Sequence, residues 1–404
     1  MAEAGERLAA RRSLSTNVSV YLDLIRIVAT MVVFVGHAGK FMFGRYESSI
    51  FRFLLMQGGS VIAVFFVLSG FVISFVAEEK EADWRDFLIA RAARVYSVPF
   101  LALAVVVLAD YAGNHFNPQY YITENHILNF YQPVSLHAAL RLLSFTNELW
   151  FSHTIFGTDE PYWTMGFEVP YYIFFGLLLF TTGKVRNILF VTWFLVVGPK
   201  VALYLPLWLM GVATFRILRS GRADISPRMA GFTLAFTVVA YIVLWRALAN
   251  LDLPMYQIGT PLQIVLSVCF YTLTAILLCI NILAFHALLR DRPFWPRPAK
   301  RWIRWVSGAC FTLYVVHQPL IVATSAIFPI TTKHGLYGVT ACLVILLLVL
   351  VLAELGERRK NFFTVPIRRI VYTLFPQPRP SRLAWPAAGQ VESSAVSPDQ
   401  RAVE

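Results

Sequence analysis

The chain predicts an all-α fold: a polytopic membrane helix bundle of about ten transmembrane helices with no soluble domain. Hydrophobic residues make up 57% of its 404 residues, and mean hydropathy is +0.61, which excludes an ordinary soluble domain. Charged residues are held to 14%. Apolar runs of about 20 residues recur, the length that crosses roughly 30 Å of hydrocarbon as helix. They are too long and too poorly alternating for outer-membrane barrel strands.

The apolar windows place helices near 19–39, 58–77, 87–110, 161–182, 187–199, 201–218, 229–249, 261–288, 306–328 and 335–355. Gly198-Pro199-Lys200 supplies the turn between the fifth and sixth, which could also be divided otherwise. An even number of spans puts both termini on one side. With that side cytoplasmic, most of the 35 Lys and Arg fall inside, among them Arg85, Arg91, Arg94, Arg216, Arg219, Arg222, the cluster Arg290 to Arg304 and the run Arg358-Arg359-Lys360. The net charge of +12 is thereby explained by topology and calls for no nucleic acid.

The expected organisation is a cytoplasmic segment 1–18, a membrane domain 19–356, and a cytoplasmic basic segment with a disordered tail over 357–404. Arg11-Arg12 resembles part of a twin-arginine signal. The apolar stretch after it is broken by Asp23 and Arg26 and has no small-residue cleavage site, so it reads as a retained helix. The one long outward loop, 111–160, is rich in aromatics and reads as an ordered cap with a short helix near 137–145. Its histidines, His115, His126, His137 and His153, match no compact ligand motif, and no metal is expected. Cys269, Cys279, Cys310 and Cys342 all fall in apolar runs and read as packing residues.

Ionisable residues inside such spans are costly and point to function. The first span holds Asp23, Arg26 and His37. At about 1.5 Å per residue, Arg26 and His37 stand roughly 16 Å apart along the axis, a cationic anchor near one face and a base deep toward the other. Asp23 lies three residues before Arg26, which suits an ion pair. Phe65-Phe66-Val-Leu-Ser69-Gly70-Phe71 puts small residues mid-span, either for close helix packing or to leave room beside His37. Arg91 and Arg94, three apart, share a helix face and suit either a phosphate or anionic lipid. Trp163 and Glu168 mark the entry to the fourth span, where Glu168 could take a proton, orient His37 or bind a hydroxyl. Tyr314 and His317 lie in the ninth, where His317 on its own would more often be a satisfied core residue.

These five elements, in this order, resemble the acyltransferase-3 family of integral membrane acyltransferases. The similarity covers about residues 20–320 and rests on Leu22-Asp23-Leu24 with Arg26 and His37, Phe65 to Phe71, Arg91-x-x-Arg94, Trp163 to Tyr172, and Tyr314-Val-Val-His317. The chain departs from the family pattern at Leu24, where many members carry glycine, and at Gly166, Val169 and Pro170. The resemblance implies an O-acyltransferase, expected to be an O-acetyltransferase, at a bacterial inner membrane. The donor would be acyl-coenzyme A, expected as acetyl-CoA and used as co-substrate with no bound cofactor. The acceptor would be a hydroxyl of a carbohydrate, a lipid-linked carbohydrate or another envelope polysaccharide. His37 and Glu168 would be catalytic, with His37 either a general base or an acyl carrier. Arg26, Arg91 and Arg94 would hold the donor phosphates, and Asp23, Ser69, Gly70, Trp163, Tyr314 and His317 would support them. A secondary transporter or a non-catalytic subunit of a polysaccharide assembly system would also place ionisable residues in its helices.

Overall fold

The computed structural model describes residues 15–43, 58–81, 83–122, 131–221, 225–248, 261–290 and 292–376. The segment holding His126 and Asn125, Arg222, and the expected disordered tail beyond residue 376 lie outside the described residues.

The elements are helices α1 (Thr16–Met42), α2 (Gly58–Lys80), α3 (Trp84–Tyr96), α4 (Pro99–Phe116), α5 (Leu136–Leu143), α6 (Met165–Phe180), α7 (Gly183–Arg219), α8 (Pro227–Leu248), α9 (Pro261–Leu289), α10 (Arg297–Ser307), α11 (Cys310–Ile327), α12 (Gly335–Leu355) and α13 (Lys360–Leu374). A 3-10 turn, Glu160–Thr164, leads into α6. Among the described residues, nine helices are long and apolar enough to cross a membrane. The expected all-α membrane bundle is therefore the fold of this protein.

One of the nine, α7, is about twice the length a single crossing needs, and its chain doubles back at Gly198. Along the first arm, Phe190 stacks on Phe174 at 4.8 Å and the Trp193 indole donates to the Pro170 carbonyl at 3.0 Å. Along the second, the Tyr171 hydroxyl donates to the Val201 carbonyl, and Trp208 meets Phe175 at 5.5 Å. The contacts climb α6 and then descend it. Gly198 has φ +80°, open to glycine at no steric cost, and a Cβ there would come within 2.7 Å of the Trp150 Cα. The turn expected at 198–200 is thus a reversal, and the two short spans are its arms.

The expected helix 87–110 is two helices. Pro99 offers no N–H and opens α4 at a position where none is needed, so the break falls at Ser97–Val98. This leaves α3, with its arginines, as a short separate helix. The basic segment after the last span is not wholly irregular either: α13 runs antiparallel beside α3. The Tyr372 hydroxyl donates to Asp86 at 3.3 Å, and Trp84 packs edge-on against Phe375. Its apolar side, with Val371 buried, supplies the reason.

The tightest seam lies between α2 and the second arm of α7. A Cβ on Gly70 would collide with the Trp208 carbonyl, and one on Gly211 with the Val67 carbonyl. Gly70 therefore serves close backbone approach. The segment between α4 and α6 folds back onto the bundle. Asp110 accepts from Tyr121 and from the Thr158 amide and hydroxyl. Glu148, fully buried, receives Lys200 at 2.6 Å and His153 at 2.8 Å. The helix expected near 137–145 is α5. Among the described residues no group of three or more His, Cys, Asp or Glu is arranged to hold a metal ion.

Trp150 sits at the Gly198 reversal, so the 131–159 segment caps one end of the bundle and Ser220, which follows α7, lies at the other. In a background without native cysteines, Leu136→Cys should react with a membrane-impermeant maleimide in intact cells, whereas Ser220→Cys should react only after lysis. Both positions are exposed, so protection would report sidedness rather than burial.

Candidate functional site

Five helices and one turn converge on a narrow cavity of about 80 Å³. From α1 comes Arg26, from α2 Ser69, from α3 Arg94, from α6 Glu168, from α11 Tyr314, and from the turn after α12 Glu357. Two arginines and two carboxylates thus line a space enclosed by otherwise apolar helices, where charge has to be balanced locally.

Asp23 pairs with Arg26 at 3.5 Å, the i,i+3 ion pair that the spacing suggests. The Ser307 hydroxyl ties both down, donating to Asp23 at 2.8 Å and accepting from Arg26 at 3.5 Å. Arg94 stands in the field of Tyr172, Glu168, Glu357 and Asp23. The Glu168 carboxylate receives the Ser69 hydroxyl at 2.7 Å and the Tyr172 hydroxyl on the same oxygen, and the Trp208 indole donates to Ser69 at 3.2 Å. This fixes one oxygen of Glu168 and orients the carboxylate beside the arginines.

Glu357 carries a role the sequence reading does not assign. Its carboxylate accepts from the Thr312 amide at 3.0 Å and the Thr312 hydroxyl at 3.2 Å. That caps the N-terminus of α11, where orphan amides and the helix dipole favour an anion. In the sequence Glu357 is one of two acids flanking a basic run. Nothing local distinguishes it from Glu354, which pairs with Arg358.

The histidines of α1 and α11 meet. His37 Nδ1 and His317 Nε2 are 2.7 Å apart, with the rings stacked at 4.9 Å. His317 Nδ1 lies 2.9 Å from the Leu313 carbonyl oxygen, which can only accept. In the neutral pair this fixes both tautomers. His317 carries its proton on Nδ1, its Nε2 accepts from the His37 Nδ1–H, and His37 Nε2 is left with the lone pair. Neither histidine lines the cavity, which ends at Tyr314, one turn before His317 on α11. The Tyr314 ring packs between Phe65 at 5.1 Å and His317 at 6.2 Å and so stands between the charged cavity and the histidine pair.

The remaining expected residues divide. Arg91 does not join Arg94: it pairs with Glu81, packs over the Phe87 ring at 5.2 Å and lines a separate cavity with Val169, Tyr172 and Ile173 of α6. Trp163 stands edge-on to Phe167 and lines a small separate space with Phe66 and Tyr204. Glu168 forms no hydrogen bond with His37 among the described contacts; its partners are Ser69 and Tyr172.

The membrane bundle thus gathers a hydrogen-bonded histidine pair, two arginines and two oriented carboxylates within its interior. The acyltransferase domain model of the acyltransferase-3 family matches residues 19–354, and the chain belongs to that family. It is a membrane acyltransferase. No curated protein and no solved structure matches the chain.

Glu357→Ala should lower thermal stability in detergent by the scale of a lost helix cap, about 1 kcal/mol or more, because it strips α11 of its anion and leaves Arg94 and Arg26 less balanced. Glu354→Ala, at an exposed i,i+4 pair, should shift the melting midpoint far less. Equal shifts would remove the capping role.

Proposed function

We propose that the protein is an O-acyltransferase that moves an acyl group, acetyl by our reading, from acyl-coenzyme A to a hydroxyl of a glycan or glycolipid acceptor at a bacterial inner membrane. The observation that carries this is the hydrogen-bonded His37–His317 pair beside a cavity holding Arg26 and Arg94.

The donor enters from the cytoplasmic side, where basic residues concentrate, and its phosphates meet Arg94 and Arg26. Its pantetheine arm then runs toward the histidines, passing Tyr314, whose ring closes the cavity's end. The acceptor hydroxyl approaches from the opposite face, beneath the cap formed by the outer segment. His37 Nε2 takes the hydroxyl proton as the oxygen attacks the thioester carbonyl. The new C–O bond forms, the tetrahedral adduct collapses, and the C–S bond breaks. The proton then passes from His37 to the departing thiolate. His317 acts through His37, holding the tautomer that presents Nε2. Glu168 balances Arg94 and, with Ser69 and Tyr172, keeps the cavity wall in one arrangement.

Purified protein given acetyl-CoA and an acceptor should release free thiol, which a transporter or scaffold subunit would not do. His37→Ala should fold normally and lose about 10²- to 10⁴-fold in kcat, the contribution of a positioned base. His317→Ala should lower kcat with the donor KM unchanged. Near-normal turnover in His37→Ala would sink the assigned role.

Arg94→Ala should raise the donor KM more than the acceptor KM. Its effect should exceed that of Arg91→Ala, because only Arg94 lines the cavity. Steady-state kinetics with each substrate varied in turn would decide it; equal effects on both constants would refute phosphate binding at Arg94.

A further inference from the structure

A second and larger cavity is unused by this chemistry. About 610 Å³ of open space lies between α3, α6 and the turn Ser144–Phe145. Phe87, Leu88, Phe145, Ile173, Leu177 and Phe180 make it strongly apolar. Leu88, Ile173 and Phe180 are 41%, 54% and 38% exposed, so the groove opens sideways, toward the hydrocarbon that surrounds a membrane bundle.

Two features distinguish it from ordinary lipid-facing surface. Arg91 lines the groove with 7% of its surface exposed, and its Nε has no hydrogen-bond partner. Another of its nitrogens is bound by Glu81, whose second oxygen is equally unpartnered. Burial pushes the Glu81 carboxyl above its ordinary value, against the opposing pull of Arg91. A buried guanidinium with an unused N–H is a ready partner for a phosphate oxygen. The second feature is Tyr172, which lines this groove while its hydroxyl donates to Glu168 in the charged cavity. An occupant would lie one side chain away from the donor site.

We propose that the groove between α3 and α6 seats the hydrocarbon chain of a phosphate-bearing membrane lipid, with Arg91 on the phosphate. A free phosphate would gain nothing from the apolar walls, and a lipid without phosphate would leave the Arg91 Nε unpaired. This goes beyond the transferase reading and does not depend on it, because it concerns binding alone.

The test uses the full chain in nanodiscs containing a photoreactive phosphatidic acid or a photoreactive diacylglycerol. Phosphatidic acid should label α3 and α6 peptides about tenfold more than diacylglycerol, the scale of one charge-assisted hydrogen bond. R91M should bring the two lipids level. I173W should fill the groove and suppress both labels there. E81Q should raise phosphatidic acid capture, because it removes the competing carboxylate. Equal labelling of wild type by the two lipids, or labelling indifferent to I173W, would show bulk lipid only and overturn the proposal. If R91M does not fold, as read by size-exclusion, the opposite signs expected for E81Q and I173W decide the matter, and unchanged capture in E81Q refutes it.

Discussion

The need to balance charge inside hydrocarbon organises this bundle. Arg26 and Arg94 are tolerable among apolar helices because Asp23, Glu168 and Glu357 are brought to them from α1, α6 and the turn after α12. Each carboxylate is itself held by donors: Ser307 on Asp23, Ser69 and Tyr172 on Glu168, Thr312 on Glu357. Hydrogen bonds thus extend from each of these three carboxylates into neutral helix surface. Because the network draws on six helices and a late turn, the packing that encloses the cavity and the electrostatics within it are one constraint.

That constraint also explains the small residues. Ser69 can reach Glu168 only if α2 lies close to α6 and to the second arm of α7. Gly70 and Gly211 permit that approach, each meeting a backbone carbonyl of the facing helix. Ser69 and Gly70, adjacent in sequence, therefore do different things: one is a hydrogen-bond donor in the cavity wall, the other removes bulk behind it.

Much of this was legible from sequence, and the gaps have physical causes. Apolar run lengths marked the spans, and Gly198-Pro199 marked the reversal, because hydrocarbon thickness and glycine stereochemistry are local constraints. The Asp23–Arg26 pair was legible for the same reason, since helix geometry alone joins i and i+3. The contact of His37 with His317 was not, although each could be singled out, because 280 residues separate them and no pattern encodes a long-range ring contact. Glu357 was invisible because its partner, Thr312, lies at the start of another helix. The spacing of Arg91 and Arg94 was misleading in sequence: three residues apart predicts one shared site, but α3 packs against both α6 and α13, and its two arginines line two different cavities.

The direction of the hydrogen bonds through the histidine pair has a consequence for the membrane itself. Buried imidazoles in series can form a wire along which protons hop from one aqueous face to the other, dissipating the gradient the membrane maintains. Here the series ends on the Leu313 carbonyl, an oxygen with no proton to pass on and already engaged as an acceptor. If His37 takes a proton as proposed, that proton has no onward exit along this series through His317 and returns the way it came. The backbone of α11 would thus keep the proposed proton transfer at His37 electrically tight along this path.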